Sequence, residues 1–198
     1  MNEQAQSHIA IAICGESGAG KTTTTGLIRA RGFRPCSVSG FLRDEAESVI
    51  DSPSRAQVQD YGRRRQEEEG DDYFARRMLT TLSPFNHPRT VIDGLRNLAE
   101  LQLLRQVAAE ANARFVLLAL MTPDEVRFER VQSRGRHGDP RTLDEFMAAD
   151  ERARGADGQN FQQNAALIEA ADERIINSGD LDTLNQQIDH LLAKVMTS

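Results

Sequence analysis

A glycine-rich segment, Gly15–Thr22, combines the residue types that phosphate chemistry requires. Its sequence, GESGAGKT, matches the pattern G-x-x-x-x-G-K-[ST]. Glycines let the backbone wrap a phosphate group with its N–H groups pointing inward, where a Cβ would obstruct the turn. Lys21 is expected to reach the β- and γ-phosphates of a nucleoside triphosphate, and the Thr22 hydroxyl to coordinate Mg²⁺. The segment therefore predicts a phosphate-binding loop, or P-loop, that uses ATP and Mg²⁺.

The surroundings of the P-loop agree with this chemistry. The apolar segment His8–Cys14 predicts a buried strand before the loop, and Thr22–Arg31 predicts a helix after it, whose positive dipole end attracts phosphate. Thr23 breaks the dinucleotide-binding pattern G-x-G-x-x-G, and Ala19 breaks the hydrolase pattern G-x-S-x-G. The predicted nucleotide-binding residues are Gly15, Glu16, Ser17, Gly18, Ala19, Gly20, Lys21, Thr22 and Thr23.

An aspartate closes the strand predicted over Thr90–Asp93. A P-loop requires an acid at the end of a second strand to hold the Mg²⁺ ion and its water shell. Asp93 comes in the right order along the chain, and we assign it to the metal together with Thr22. The alternative is that Asp93 caps a helix that begins before Leu95.

Arginines concentrate in the second half of the chain. Arg127, Arg130 and Arg134 are spaced i, i+3 and i+7, which places them on one helical face, and Arg136 and Arg141 follow in a loop. Phosphoryl transfer spreads negative charge over the moving group, so converging arginines are expected of a kinase. The alternative is a solvated helix face. The acids available to pair with it are Asp124, Glu125, Glu129 and Asp139.

Strands alternate with helices from end to end, and the apolar strands are typical of a sheet that is buried on both faces. This pattern predicts an α/β fold with a parallel sheet flanked by helices, and the 198 residues suit a single domain. The polar segment Ser52–Thr81 contains Arg63–Arg65 followed by Glu67–Glu69. It predicts either a salt-bridged surface helix or a substrate-binding insert. Gly62 and Gly70 are expected to break it into helical pieces.

Composition and charge narrow the class of protein. The net charge of −6 argues against a general nucleic-acid-binding protein. Cys14 and Cys36 lie among apolar or small residues, which predicts two buried thiols. The longest apolar stretch, Phe115–Met121, is far too short to span a membrane, and Met1–Ser7 has no basic stretch before an apolar run. A cytoplasmic protein without a membrane partner is therefore expected.

These motifs together resemble the nucleoside-monophosphate-kinase-type P-loop kinases, and most closely the dephospho-CoA-kinase-like, adenylate-kinase-like family. The likeness covers nearly the whole chain. Beyond the P-loop, the segments that carry it are Gly40–Glu45, Gly62–Gly70, Val91–Arg96, Arg127–Arg136, Asp139-Pro140, Asp150–Arg152 and Ala171–Asn177.

The resemblance implies a P-loop NTPase three-layer fold, with five parallel strands in the order 2-3-1-4-5. Residues at about 48–81 would form an acceptor-binding insert, and residues at about 133–141 would form a lid over the phosphates. Arg43 and Arg96 match the arginines that hold the acceptor's phosphate, and Asn177 would lie near the nucleotide base. Arg130, Arg134 and Arg136 match the lid arginines. The predicted catalytic residues are Lys21, Asp93, Arg130, Arg134 and Arg136.

One position departs from the family pattern. Many relatives have an aspartate near the end of the second strand that orients or deprotonates the acceptor, but here the matching place is Ser39-Gly40. Asp44 or Asp93 could replace that carboxylate, or the acceptor oxygen is acidic enough to need no base. A phosphate acceptor fits the last case better than an alcohol does.

The sequence thus predicts an ATP- and Mg²⁺-dependent kinase that transfers the γ-phosphoryl group to a nucleotide or nucleotide-like small molecule, with GTP left open as the donor. One alternative is a kinase that acts on a hydroxymethylated base in DNA, with Arg63–Arg65 and Arg76-Arg77 as its basic groove. Another is a slow NTPase that acts as a nucleotide-dependent regulatory switch.

Overall fold

The computed structural model describes residues 8–135, 139–154 and 163–197. The strands are β1 (Ile9–Gly15), β2 (Arg34–Ser37), β3 (Arg89–Asp93), β4 (Arg114–Met121) and β5 (Glu173–Ile176). The helices are α1 (Lys21–Ala30), α2 (Val38–Val49), α3 (Arg55–Glu69), α4 (Tyr73–Leu82), α5 (Leu98–Glu110), α6 (Asp124–Arg134), α7 (Leu143–Arg154), α8 (Asn164–Glu169) and α9 (Leu181–Thr197). A 3₁₀ turn, Pro84–Asn86, precedes β3.

The strands form one five-stranded parallel sheet in the order β2-β3-β1-β4-β5, which confirms the prediction. The central strand is β1, where Ala12 is in register with Ile92 of β3 and with Leu117 of β4. Because all strands run in the same direction, their carboxyl ends meet at one edge of the sheet. Gly15 and Asp93 both lie at this edge.

Both faces of the sheet are buried. Successive side chains of a strand point to opposite faces. Ile11 and Ile13 of β1 pack in one cluster with Ile28 of α1 and Ile188 of α9. The opposite face is covered by buried residues of α2, α4, α5 and α8, including Leu42, Phe74, Leu104 and Leu167. This two-sided packing holds the strands rigidly and fixes the residues at their carboxyl ends.

The chain between β2 and β3 forms three helices. Helix α2 follows β2 without a loop, because the Ser37 hydroxyl caps it by accepting a hydrogen bond from the Gly40 N–H at 3.1 Å. Gly70 ends α3 with a φ of 104°, as predicted. The predicted break at Gly62 is wrong, because α3 runs through it. One glycine costs a helix interior only about 1 kcal/mol, which the packing of the whole helix offsets.

The two cysteines are free and buried, which confirms the prediction for Cys14 and Cys36. Burial raises the pKa of the Cys14 thiol to about 12. Because the thiolate is the reactive form of cysteine, this thiol is expected to be inert. Within the described residues, no helix has the length and apolar character required to cross a membrane.

Candidate active site

The P-loop joins β1 to α1 at the carboxyl edge of the sheet. Gly18 and Gly20 both have left-handed backbone conformations, with φ of 81° and 95°. A Cβ on Gly18 would lie 2.5 Å from the carbonyl oxygen of Arg127, and a Cβ on Gly20 would collide with the side-chain amide of Asn177. The loop therefore needs glycine at both positions, for space as well as for conformation. Such a loop can surround a phosphate with its N–H groups.

Lys21 is the first residue of α1, and its ammonium folds back over the loop. Its Nζ donates hydrogen bonds to the carbonyl oxygens of Gly15, at 2.6 Å, and of Glu16, at 2.8 Å. Burial lowers the pKa of Lys21 to about 8, and the nearby charge of Arg134 adds to this effect. The next residues, Thr22 and Thr23, are exposed on the first turn of the helix.

The end of the P-loop is held by the residues around the ends of β4 and β5. Asn177 is buried, and its Nδ2 donates a hydrogen bond to the Ala19 carbonyl oxygen at 2.8 Å. The Thr122 hydroxyl donates to the same oxygen at 3.3 Å and to the Asn177 carbonyl oxygen at 3.1 Å. The sequence predicted Asn177 near the nucleotide base, and the structure places its side chain against the P-loop itself.

Two of the predicted lid arginines lie on α6. Arg130 Nη1 donates a hydrogen bond to the Asn177 carbonyl oxygen at 3.0 Å, so it lies at the junction that holds the P-loop. Arg134 forms a two-point ion pair with Asp139, with N–O distances of 2.8 and 2.7 Å. Arg136 lies outside the described residues, as does the central part of the predicted lid.

Asp93 ends β3, next to β1 in the sheet. Its carboxylate is half-buried and makes no hydrogen bond or ion pair with any residue in the described ranges. The alternative role as a helix cap is wrong, because α5 is capped by Asn97, whose side chain accepts a hydrogen bond from the Glu100 N–H. A carboxylate in this position is suited to hold a hard cation.

Ser39, the first of the two positions, Ser39-Gly40, that depart from the family pattern, lies directly against the end of β3. A Cβ on Gly94 would lie 2.7 Å from the Ser39 backbone nitrogen and would collide with the Ser39 hydroxyl. The Ser39 Oγ is also 3.3 Å from the Ser37 Oγ. The structure therefore places this position beside Asp93, whereas Asp44 is exposed on α2.

The predicted acceptor-binding arginines lie on two elements. Arg43 is exposed on α2, about one helical turn after Ser39. In the part of the chain that the structure describes, Arg43 has no ion-pair or hydrogen-bond partner. Arg96 lies in the loop after β3, where its backbone is held on both sides. Its N–H donates to the Glu100 carboxylate at 2.7 Å, and its carbonyl accepts from the Gln163 N–H at 2.7 Å.

Glu100 is a buried acid that the sequence reasoning missed. One of its carboxylate oxygens accepts the hydrogen bond from Arg96, and the other has no hydrogen-bond partner among the described residues. Burial raises the pKa of Glu100 to about 7, although the hydrogen bond from Arg96 opposes this shift. An acid in the first turn of a helix is a common solvent-exposed feature, so the sequence had no signal of this burial.

Arg127 was grouped with the other arginines of α6, but the structure buries it completely. Its Nη1 donates a hydrogen bond to the Ser17 carbonyl oxygen at 3.0 Å. Its Nη2 forms ion pairs with three carboxylates, those of Glu16, Asp124 and Asp150. The sequence already offered Asp124, three residues before Arg127, as a partner under the alternative of a solvated helix face. The spacing of Asp150 carries no such signal.

A second cluster that the sequence did not indicate centres on Glu45. Its carboxylate accepts hydrogen bonds from Tyr61 Oη at 2.9 Å, Arg65 Nε at 3.0 Å and Tyr73 Oη at 3.0 Å. The donors come from α3 and α4, so the cluster ties α2, α3 and α4 together. Arg65 also pairs with the exposed Glu68 and Glu69, and Arg63 pairs with Asp60 and Glu67. The segment therefore has the surface ion pairs that were one of its two predictions.

The five-stranded parallel sheet, the P-loop at its carboxyl edge and the acid on the adjacent strand define a P-loop protein with a kinase-like fold. Two solved structures share this fold. TT1252 from Thermus thermophilus is 20% identical, with a TM-score of 0.60 over 95% of this chain and 98% of that chain. Shikimate kinase from Acinetobacter baumannii, solved in complex with shikimate, is 13% identical, with a TM-score of 0.58 over 97% of this chain and 96% of that chain. At these identities the likeness shows the fold alone.

Sequence comparison defines the family. The family described as "AAA domain" matches residues 11–154. A UPF0200 protein of Methanothrix thermoacetophila is 31% identical over 188 residues, which cover 95% of this chain and 98% of the relative. A UPF0200 protein of Hyperthermus butylicus is 26% identical over 185 residues, which cover 93% of this chain and 94% of the relative. The chain therefore belongs to the UPF0200 family and contains the AAA domain of P-loop NTPases.

Proposed function

We propose that this protein is an ATP- and Mg²⁺-dependent kinase that transfers the γ-phosphoryl group to a nucleotide or nucleotide-like small molecule. The observation that carries the proposal is the arrangement of three charged groups along one edge of the sheet. The Lys21 ammonium lies over the P-loop, the Asp93 carboxylate ends the adjacent strand, and the Arg130 guanidinium lies at the far end of the loop. Phosphoryl transfer requires cations for the phosphate oxygens and an acid for the metal.

The residues of this edge fit ATP and Mg²⁺. Gly18 and Gly20 allow the left-handed turns of the loop and its close approach to Arg127 and Asn177. The Lys21 ammonium would exchange its two carbonyl partners for β- and γ-phosphate oxygens. Thr22 and Asp93 would hold Mg²⁺, which when bound neutralises charge on the phosphate oxygens.

The surroundings of Ser39 support an acceptor that carries its own acidic oxygen. Arg43 and Arg96 would position the acceptor's phosphate from α2 and from the loop after β3. Asp93, the acid placed beside Ser39, is assigned to the metal, so among the described residues no carboxylate beside Ser39 is left as a dedicated base. A phosphate oxygen is already ionised near neutral pH and needs no base, unlike an alcohol. A phosphate acceptor, as in a nucleoside monophosphate, therefore fits best.

The lid would complete the site. Arg130, Arg134 and Arg136 would stabilise negative charge on the moving phosphoryl group. Arg134 now binds the Asp139 carboxylate through two nitrogens, and a phosphate oxygen pair is an equivalent partner for the same guanidinium. Closure would exclude water and so suppress the hydrolysis of ATP.

The contacts of the insert weaken the alternative of a kinase acting on DNA. Arg65 is held in the Glu45 cluster and the exposed Arg76 donates to the Glu69 carbonyl oxygen, so both already have partners within the protein. DNA binding that weakens steeply with salt would support that alternative instead. The regulatory switch stays an alternative that turnover measurements separate from a kinase.

The test is ATP consumption with Mg²⁺ across a panel of acceptors. The panel contains ribo- and deoxynucleoside monophosphates, dephospho-CoA and DNA with hydroxymethylated bases. Lys21→Ala is the inactive variant, and Lys194→Ala is its matched control, because the chain has only these two lysines. Stimulation by one acceptor that is lost only in Lys21→Ala is expected. Turnover that no acceptor changes would contradict the proposal and favour the switch.

A further inference from the structure

We infer that the buried Arg127 is a positioning residue for nucleotide binding, and that it joins the P-loop to α7 through Asp150. The inference rests on the proposed function only in requiring that the P-loop binds ATP. The inference is based on the contacts of the Arg127 side chain, which touches the P-loop on one side and α7, the helix after the predicted lid, on the other.

On the side of the P-loop, Arg127 contacts three successive residues. Its Nη1 donates to the Ser17 carbonyl oxygen at 3.0 Å, and its Nη2 lies 3.2 Å from the Glu16 carboxylate. Its own backbone lies so close to Gly18 that a Cβ there would be 2.5 Å from the Arg127 carbonyl oxygen. The first half of the loop is therefore packed directly onto this residue.

These contacts determine which way a loop N–H points. In a trans peptide the C=O and the N–H of the same unit point in opposite directions, and the described chain contains no cis peptide. Because Arg127 holds the Ser17 carbonyl, the N–H of Gly18 must point away from Arg127. That direction is the inner side of the loop, where phosphate oxygens accept hydrogen bonds from the backbone. Arg127 thus orients a phosphate-binding donor that it does not itself touch.

On the other side, Arg127 is fixed by α6 and α7. Its Nη2 pairs with Asp124 at 2.7 Å and with the buried Asp150 carboxylate of α7. Its guanidinium also lies over the Phe146 ring of α7, 5.0 Å from the centroid. Arginine suits this place because its rigid planar fork can serve the carbonyl and the carboxylates at the same time.

The consequence is a physical link between the helix that follows the lid and the phosphate-binding loop. Segment 139–142 connects directly to α7. If α7 shifts, Asp150 moves the guanidinium, and the Ser17–Gly18 peptide is no longer held. Disturbing this link should weaken ATP binding while leaving the acceptor site around Ser39 unchanged.

The experiment compares Asp150→Asn and Arg127→Lys with Asp144→Asn, an exposed acid on the same helix. Binding of a non-hydrolysable ATP analogue is measured by calorimetry, together with the KM values for ATP and acceptor. Both test variants should weaken analogue binding about tenfold or more, as expected for a lost charge-assisted hydrogen bond. Lysine keeps the charge but cannot bridge Ser17 and Asp150 at once. The KM for acceptor should stay unchanged in both test variants. The control variant Asp144→Asn should bind the analogue as tightly as the wild-type protein does.

The outcomes separate this inference from the proposed function. If the wild-type protein does not bind the analogue, the proposed function fails. If it binds and both folded variants bind within twofold of it, the positioning role is wrong. The double variant should lose no more affinity than the worse single variant, because both changes break the same link. If Asp150→Asn does not fold, Arg127→Lys, which retains the buried charge, decides the question.

Discussion

The side-chain amide of Asn177 donates a hydrogen bond to the Ala19 carbonyl oxygen at 2.8 Å, while the Asn177 backbone carbonyl accepts one from Arg130 at 3.0 Å. A single residue after β5 thereby connects the end of the P-loop with α6. The Ala19 carbonyl is held outward, so the N–H of Gly20 in the same peptide points into the loop. Asn177 and Arg127 therefore hold the two halves of the P-loop in the same way.

Replacing Asn177 by aspartate should weaken both nucleotide binding and the fold. The aspartate cannot donate to Ala19, and its buried carboxylate would face a carbonyl oxygen. We expect a loss of about 2 kcal/mol in the free energy of unfolding, measured with urea, and at least a tenfold weaker ATP affinity. Asn86→Asp is the matched control, because Asn86 is exposed. Equal effects in the two variants would show that the hydrogen bond to Ala19 is unimportant.

The lowered pKa of Lys21 predicts proton uptake on nucleotide binding. In the free protein burial holds this pKa at about 8, and contact with phosphate should raise it toward the ordinary value of a lysine. Binding should therefore take up little proton at about pH 7 and most of one proton at about pH 9. Calorimetry in buffers with different ionisation enthalpies measures this uptake. The uptake should persist in Lys194→Met, and an uptake that is independent of pH would contradict the prediction.

Glu100 should make the protein less stable as the pH rises. Its pKa in the folded protein is about 7, against an ordinary 4.5, so the folded state binds the proton more tightly than the unfolded state. Its contribution to stability is therefore largest below about pH 4.5 and is lost as the pH rises through about 7, a difference of about 3 kcal/mol. Two charged groups act on the Glu100 carboxyl: Arg96 lowers the pKa of Glu100, and Asp72 raises it.

The variant Glu100→Gln tests this assignment. Glutamine stays neutral at every pH and keeps an oxygen that can accept the hydrogen bond from the Arg96 N–H. Its free energy of unfolding should vary less than that of the wild type between about pH 5 and pH 8, and it should be the more stable protein at about pH 8. The exposed Glu110→Gln should follow the wild-type profile. If the free energy of unfolding varies with pH in the same way in all three proteins, groups other than Glu100 cause the pH dependence.

The Glu45 cluster should contribute to the stability of the insert. Glu45→Gln weakens the hydrogen bonds from Tyr61, Tyr73 and Arg65, and we expect a loss of about 1 to 2 kcal/mol in the free energy of unfolding. Glu47→Gln, on the exposed side of the same helix, should change stability by less than about 0.5 kcal/mol. Urea unfolding at neutral pH measures both. A loss of the same size in Glu47→Gln would contradict the role of the cluster.

The order of the strands was predicted from the resemblance to the kinase family. The P-loop and Asp93, the main elements of the site, were predicted from local sequence patterns. The P-loop is one continuous motif, and Asp93 closes a short apolar segment that is typical of a buried strand. The position of Asn177 was predicted near the nucleotide, but its partner Ala19 lies 158 residues away, and no local rule pairs the two.

Contacts between elements account for what the sequence did not show. Helical spacing placed Arg127 on one face with Arg130 and Arg134, but spacing does not reveal what packs on that face. Here Phe146 and Asp150 of α7 pack against Arg127, which is buried, whereas Arg130 and Arg134 are not. The Glu45 cluster joins residues 16 and 28 positions apart, which no periodicity encodes.

The close packing of Ser39 on Gly94 limits which substitutions can be accepted where β3 ends and α2 begins. Any side chain at position 94 would meet the backbone nitrogen and the hydroxyl of Ser39. A single substitution of Gly94 would thus be opposed both by its left-handed backbone, with a φ of 78°, and by its neighbour Ser39. The two positions form an epistatic pair: a lineage can accept a side chain at position 94 only after the start of α2 has moved away from the end of β3.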